Sequence, residues 1–249
     1  MSVHEVRLAD WPGNVRIFYT TREGGCSDGP YHGFNLGLHV GDFEQSVRRN
    51  RAELLEHLPP GARIAWLDQV HGTDVVKACD SIQAPLSADG CWTTDSGIAC
   101  AVMVADCLPV LLTDHSGSVV AAVHAGWQGL VAGVLDAAVS KLNVAPQELC
   151  AWLGPAIGSD EFEVGPEVRA AFMRQNEAPG TDSCFKPSMR RSGHYLADLP
   201  SLAEQRLTRL GLLHIQRAED CTVSDPRRFF SYRRDGVTGR MSCLILRNP

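Results

Sequence analysis

Two histidines and one cysteine stand where apolar runs give way to loops: His71, Cys107 and His124. His71 lies in Asp68-Gln69-Val70-His71-Gly72. Cys107 follows Asp106 at the end of an apolar run, two residues before Pro109. His124 terminates Val119-Val120-Ala121-Ala122-Val123, with Gly126 just beyond. Two imidazoles and a thiolate make a three-ligand zinc set that leaves the fourth position open to water or substrate. An open position is the catalytic arrangement, since the ion can then acidify water or polarise an oxygen. The intervals between the three are 36 and 17 residues, and they match no local metal motif such as H-E-x-x-H. Two other readings stay open: a buried thiol beside two core or loop histidines, and a Cys107–His124 nucleophile–base pair of the cysteine-hydrolase kind.

The elements that must position these residues are short and apolar. Val15 to Thr21 reads as a strand running into the glycine-rich loop Arg22 to Pro30. Gln45 to His57 has helical spacing and stops at Pro59-Pro60-Gly61. Ala62 to Leu67 and Asp74 to Ala78 are short strands. Ile98 to Leu112 is one long buried strand, or two broken at Asp106-Cys107-Leu108-Pro109. Val119 to Val123 is another buried strand, followed by a helix with Leu130, Val134, Leu135, Ala138 and Leu142 on one face. Leu149 to Leu153 is a strand, Pro166 to Asn176 and Leu199 to Gly211 are helices, and Asp220 to Asn248 holds two strands. Strands and helices do not alternate strictly, which favours α+β over a doubly wound sheet.

The chain has 249 residues, enough for a sizeable core, and 44% of them are apolar. The expected organisation is one domain over residues 1–249. A net charge of −6 argues against a nucleic-acid partner met through a broad basic surface. No apolar run is long enough to span a membrane, and the start lacks the pattern of an export signal. A cytoplasmic location is expected. The nine cysteines are then thiols or metal ligands rather than staples, and most are expected to be small core residues.

Several separated strings resemble the bacterial laccase-domain family, also called YfiH-like or multicopper polyphenol oxidase-like. They are Asp68-Gln69-Val70-His71-Gly72, Ala88-Asp89-Gly90, Ala105-Asp106-Cys107-Leu108-Pro109 and His124-Ala125-Gly126-Trp127-Gln128-Gly129. The likeness continues at Thr21 to Gly25, Asn35-Leu36-Gly37, His39 to Asp42, Gly154 to Ile157 and Phe229 to Arg240, and so covers nearly the whole chain. The resemblance implies a single α+β domain of mixed β-sheets flanked by helices in α/β/β/α layers, distantly similar to a bacterial toxin deamidase. It implies zinc held by His71, Cys107 and His124, with copper as a possible occupant. Gln128 stands where many members carry Arg.

The implied activity is phosphorolysis of adenosine, inosine, guanosine and methylthioadenosine, with adenosine deamination. The expected partners are a purine nucleoside and phosphate, and the expected state is a monomer or homodimer. Deamination needs an activated water and a carboxylate to move protons, for which Asp106 and Glu163 are candidates; the alternative for Asp106 is orienting a ligand. Phosphorolysis needs phosphate held against C1′. Arg22, before two glycines, and Arg233 and Arg234, among Phe229, Phe230 and Tyr232, are candidate phosphate clamps. Asn35 and His39 could bind ribose or phosphate, although Asn35 could equally cap a turn. Trp127 could stack on a base or pack in the core. Three competing functions are a copper polyphenol oxidase, an amidase that edits a UDP-muramoyl peptidoglycan precursor, and the Cys107/His124 cysteine hydrolase. Multicopper chemistry needs many clustered histidines, and no H-x-H pair occurs.

Overall fold

The apolar stretch from Ile98 to Leu112 divides at Ala105–Cys107, and its halves enter different sheets. This is seen in a computed structural model that describes residues 2–79, 85–175 and 180–248. Ile98–Val104 joins a five-stranded sheet in the order Val3–Val6, Val15–Thr20, Met241–Arg247, Ile98–Val104, Arg63–Ala65. Leu108–Asp114 joins a six-stranded sheet in the order His214–Arg217, Leu149–Leu153, Leu108–Asp114, Val120–Ala125, Gly90–Thr93, Val75–Lys77. Within each sheet the central pairs are antiparallel, and parallel pairs occur only at the margins. Both sheets are therefore mixed, and the fold is α+β.

Successive side chains point to opposite faces, so a strand covered on both faces is apolar nearly throughout, as Ile98–Val104 is. Ile17, Cys100, Val102, Cys243 and Ile245 of the first sheet meet Leu111, Val120, Ala122 and Trp152 of the second in one buried cluster. The opposite face of the first sheet, with Phe18, Ala99, Leu244 and Leu246, packs on Leu54 of the helix Glu44–Glu56 and on Leu58 beyond it. The outer face of the second, with Leu112, Val123 and Leu153, packs on the helices Val134–Leu142, Pro166–Gln175 and Leu199–Leu210. The layers run helix, sheet, sheet, helix. Truncating a residue such as Leu111, which touches both sheets' shared core, costs about 2–5 kcal/mol.

Two expectations need correction. The helix after His124 is two helices, Trp127–Ala132 and Val134–Leu142, because Gly133 between them has φ +100°. A left-handed residue ends one helix and lets the next start in a new direction, while Leu130, Val134, Leu135, Ala138 and Leu142 are buried as the pattern required. The C-terminal segment has one strand, Met241–Arg247, not two. Its other part is a loop with the short helix Tyr232–Asp235 and a single bridge from Cys221 to Ala156. Arg234 gathers carbonyls there, which favours a turn over a ladder. Of the nine cysteines, all free, five are buried and only Cys26 is exposed.

Candidate metal centre and cationic pocket

The chain leaves the first sheet at Val104 and enters the second at Leu108, so Ala105-Asp106-Cys107 bridges the two. Asp106 makes this crossing at φ +96°. A non-glycine residue held there costs about 1–3 kcal/mol and persists only where its surroundings fix it. Here they do. Its carboxylate accepts from Thr222 Oγ1 at 2.6 Å, Ser231 Oγ at 2.9 Å and the Arg233 backbone N–H at 2.6 Å. The crossing is thus bolted to the C-terminal loop, and Cys107 is held at its edge.

His71 is the second strained position, at φ +61°. The loop that carries it is pinned at both ends. Gln69 mimics a strand residue: its amide donates to Met103 O at 2.8 Å and accepts from Met103 N at 2.7 Å. The buried carboxylate of Asp89 then accepts backbone N–H groups from Val70, His71 and Gly72 at 3.2, 2.9 and 2.6 Å. The same carboxylate lies 2.8 Å from Nδ1 of His124. His124 is the penultimate residue of the strand Val120–Ala125 and is 3% exposed.

These constraints bring His71, Cys107 and His124 together. One donor atom from each lies within 4.8 Å of the others, and among the described residues this is the only such group of three or more. Cys107 Sγ is 3.9 Å from His71 Nε2, and the imidazoles meet edge to face at 4.8 Å. Burial pushes the Cys107 thiol up, but hydrogen bonds and charge from His124 and His71 outweigh it and bring it down to about 6. Burial pushes His124 down, but Asp89 and Cys107 raise it to about 9. The donor chemistry suits a borderline-soft ion. The space suits one too. A β-carbon on Gly126 would stand 3.1 Å from Cys107 Sγ, 3.1 Å from His71 Cδ2 and 3.7 Å from His124 Cε1. Glycine keeps open the volume on which all three side chains converge.

Beside this cluster is a pocket lined by His39, Val40, Tyr232, Thr238 and Arg240, with Asp235, which pairs with Arg234, also on its wall. Among the described residues, the Arg240 guanidinium donates to the carbonyls of Thr238 and Gly239 and lies over the Tyr232 ring. Burial lowers its pKa, while the nearby charges of Cys107 and Asp106 act to raise it. Arg51 donates to Leu36 O at 2.9 Å, stacks 3.9 Å over Trp66, and is brought down to about 10 chiefly by burial. Burial lowers His39, and Arg240 and Arg51 lower it further. Among the described residues, neither Arg51 nor Arg240 forms an ion pair with a carboxylate within 4 Å. Half-buried guanidinium groups without a counter-ion make a natural anion site.

Other expected substrate residues are placed differently. Arg234 spends its guanidinium on the carbonyls of Thr222, Val223 and Phe229 and on Asp235. Asn35 is buried and organises a turn, accepting from Gly37 N and Arg240 N and donating to Asp42. Arg22 donates to Pro226 O and His32 O with its guanidinium over Phe230. Arg233 reaches Glu163 O and lies over Phe162. The carboxylate of Glu163 accepts from Ser188 Oγ. Trp127 packs against the main core, and Gln128 is exposed. Asp89, Gln69, Arg51 and Arg240 were not singled out from sequence. Asp89, Gln69 and Arg240 carry a signal, as members of Ala88-Asp89-Gly90, Asp68-Gln69-Val70-His71-Gly72 and the Phe229 to Arg240 segment; Arg51 carries none.

The family model described as multi-copper polyphenol oxidoreductase laccase matches residues 16–248. The chain belongs to this family. It is 48% identical to a purine nucleoside phosphorylase of Pseudomonas aeruginosa over 95% of this chain and 96% of that protein. It is 44% identical to purine nucleoside phosphorylase YfiH of Escherichia coli over 94% of each chain. Among solved structures it is similar to the Neisseria meningitidis protein NMB0706, with a TM-score of 0.94, 43% identity and full coverage of both chains. YlmD of Geobacillus stearothermophilus matches with a TM-score of 0.91 at 31% identity, over 100% of this chain and 97% of that one. Among the described residues, no helix is long and apolar enough to cross a membrane.

Proposed function

We propose that this chain is a metal-dependent enzyme of purine nucleosides. Its reaction is phosphorolysis of adenosine, inosine, guanosine and methylthioadenosine to the free base and the (methylthio)ribose-1-phosphate, with a second, deaminase activity on adenosine. The observation that carries the reading is the three-donor cluster beside a pocket that holds Arg240 and His39, with Arg51 close enough to lower the pKa of His39. The purine nucleoside phosphorylases of P. aeruginosa and E. coli to which the chain is similar support the phosphorylase part of the reading. His71, Cys107 and His124 would hold the ion, zinc by donor preference, and copper where it is more available. When bound, such an ion supplies Lewis-acid chemistry and acidifies water.

The chain's own groups account for the rest. Arg240, Arg51 and His39 hold phosphate, neutralise it and aim an oxygen at C1′. As that bond forms, the C1′–N9 bond breaks, and the purine leaves with its electron pair and takes a proton. Tyr232, 61% exposed at the pocket rim, offers a face for the base. Asp106 was a candidate proton carrier. Its three accepted hydrogen bonds favour the other role, positioning Cys107. A true multicopper oxidase is disfavoured, since the described residues present one three-donor group where a laccase needs several. The whole chain acts as one domain in this reading, and its partners are small molecules.

The test is product analysis on zinc-loaded protein. Inosine with phosphate should give hypoxanthine and ribose-1-phosphate, and inosine without phosphate should give neither. Adenosine alone should give inosine. No hypoxanthine in phosphate buffer sinks the phosphorylase reading. A second reading has one observation in its favour: Asp89, His124 and Cys107 line up as orienter, base and nucleophile. It predicts turnover that survives chelation of metal and is abolished by thiol alkylation.

A further inference from the structure

The geometry points to Asp89 as the positioning residue that sets both histidines of the metal centre and selects Nε2 of His124 as the donor atom. Nothing in the family description or the relatives' names assigns this residue a role. The inference rests on the reading of His71, Cys107 and His124 as a metal centre.

Asp89 is fully buried and, among the described residues, forms an ion pair with His124 alone. A buried carboxylate is tolerated only where donors surround it, and four do. Three are successive backbone N–H groups of the loop Val70-His71-Gly72, and the fourth is the Nδ1 side of the His124 ring. Asp89 Oδ1 is the shared acceptor of the His71 backbone and the His124 ring, so one oxygen couples the two ligands. The strand pairing adds to this, because the His124 backbone N–H donates to Asp89 O at 2.7 Å. A carboxylate accepts only. It therefore demands a proton on Nδ1 of His124 and leaves the Nε2 lone pair facing the centre. It also holds His71 at positive φ, a conformation the residue would otherwise leave.

Asparagine at 89 satisfies the same volume but not the same donors. Whichever way its amide turns, its NH2 group faces either the Val70 and Gly72 N–H groups that flank His71, in the place of Oδ2, or both the His71 N–H and His124 Nδ1, in the place of Oδ1. The first arrangement loosens His71, and the second moves the His124 proton to Nε2 and blocks the donor atom.

Cobalt(II) titration followed by the thiolate charge-transfer absorption of Cys107 reads the effect directly. Asp89→Asn should weaken Co2+ binding by about 10–100-fold relative to the wild type. Asp114→Asn is the control. Asp114 is also buried and accepts two backbone N–H groups and two serine hydroxyls, but at the far end of the same sheet. It should lose folding stability with Co2+ affinity unchanged. Equal affinity in Asp89→Asn and the wild type overturns the inference. A parallel loss of affinity in Asp114→Asn also overturns it, since general loosening then suffices. Should Asp89→Asn not fold, nitrogen-15 NMR of zinc-loaded wild-type protein decides. A slowly exchanging proton on Nδ1 of His124 is expected, and metal on Nδ1 refutes the assignment. If the wild type shows no thiolate band with Co2+ and no change with Zn2+, the metal reading itself falls and takes this inference with it.

Discussion

The hairpin of Leu108–Asp114 and Val120–Ala125 has the same residue types at both of its ends, and only one end assembles a centre. At the near end are Cys107, His71, His124 and the carboxylate of Asp89. At the far end are Cys150, His115, His214 and the carboxylate of Asp114. There, Cys150 Sγ lies 3.3 Å from His115 Nδ1, and the two imidazoles meet at 4.6 Å. The difference lies in where each carboxylate spends its bonds. Asp114 turns back on its own hairpin, to Ser116, Ser118 and Val119. Asp89 reaches across to His124 and the His71 loop. Burial, with Asp114 and Asp10 nearby, raises Cys150 to about 11, whereas the imidazoles bring Cys107 down to about 6. Two histidines, a cysteine and an aspartate do not make a metal centre. What sets the near end apart is a carboxylate pointed at an imidazole and two residues held at positive φ beside it, which bring three donor atoms together.

The largest expected contrast is between ligands and their far-end counterparts. Cys107→Ser or His124→Ala should lower metal affinity and turnover by more than the roughly 10–100-fold of an outer residue. Cys150→Ser and His115→Ala should leave both within about twofold of wild type, since both residues lie at the opposite end of the hairpin from the three donors. Equal losses at the two ends, measured by metal content and hypoxanthine release, would erase the distinction.

Protonation separates the ends next. Between pH 6 and 9 the metal-free centre holds Cys107 as thiolate and His124 as imidazolium. An entering ion must displace the His124 proton but none from Cys107. Affinity should therefore rise about tenfold per pH unit across that window, and more steeply below pH 6, where the thiol must also ionise. Zinc calorimetry in buffers of different ionisation enthalpy counts the protons released. A pH-independent affinity between 6 and 9 contradicts the charged pair.

Thiol reactivity gives a smaller contrast in the same direction. In metal-free protein at pH 7.5, iodoacetamide should modify Cys107 at least about tenfold faster than Cys150. The gap in thiolate fraction is partly offset by the greater nucleophilicity of the more basic thiol. Zinc should protect Cys107 and leave Cys150 unaffected. Peptide mapping by mass spectrometry after a timed quench reads both rates.

Much of the fold was legible in the sequence because buried strands announce themselves. Val119 to Val123 and Leu149 to Leu153 are apolar at every residue, and Ile98 to Leu112 at every residue but Asp106, the pattern of strands covered on both faces. What could not be read locally was the sheet each half of Ile98 to Leu112 would join, or that Gly133 would turn left-handed inside an otherwise helical pattern. The site divides the same way. His71, Cys107 and His124 sit at strand ends, where a change of pattern is visible. Arg240, Arg51 and Asp89 take their meaning from partners far along the chain. Asp89 meets His124, which lies 35 residues away. Arg234 misled for the converse reason: its neighbours looked like a phosphate clamp, but backbone carbonyls of its own loop consume its donors.

The smallest expected effect belongs to the far carboxylate, and it tests whether Asp114 is purely a hairpin device. Burial acts to raise Asp114, but bonds from Ser116, Ser118 and Val119 outweigh it and hold the carboxyl below its ordinary value. A group depressed in the folded state contributes stability above its unfolded pKa, about 3.9, and loses it as pH falls through the folded value. Asp114→Asn should then cost about 1–3 kcal/mol at pH 7, with the gap to wild type closing as pH drops below about 4. Denaturant unfolding at pH 7, 5 and 3 measures it. A gap that stays constant to pH 3 would mean that packing of the turn, rather than the charge on Asp114, is what the hairpin requires, and the far end would then differ from the near end in kind rather than in the direction its carboxylate faces.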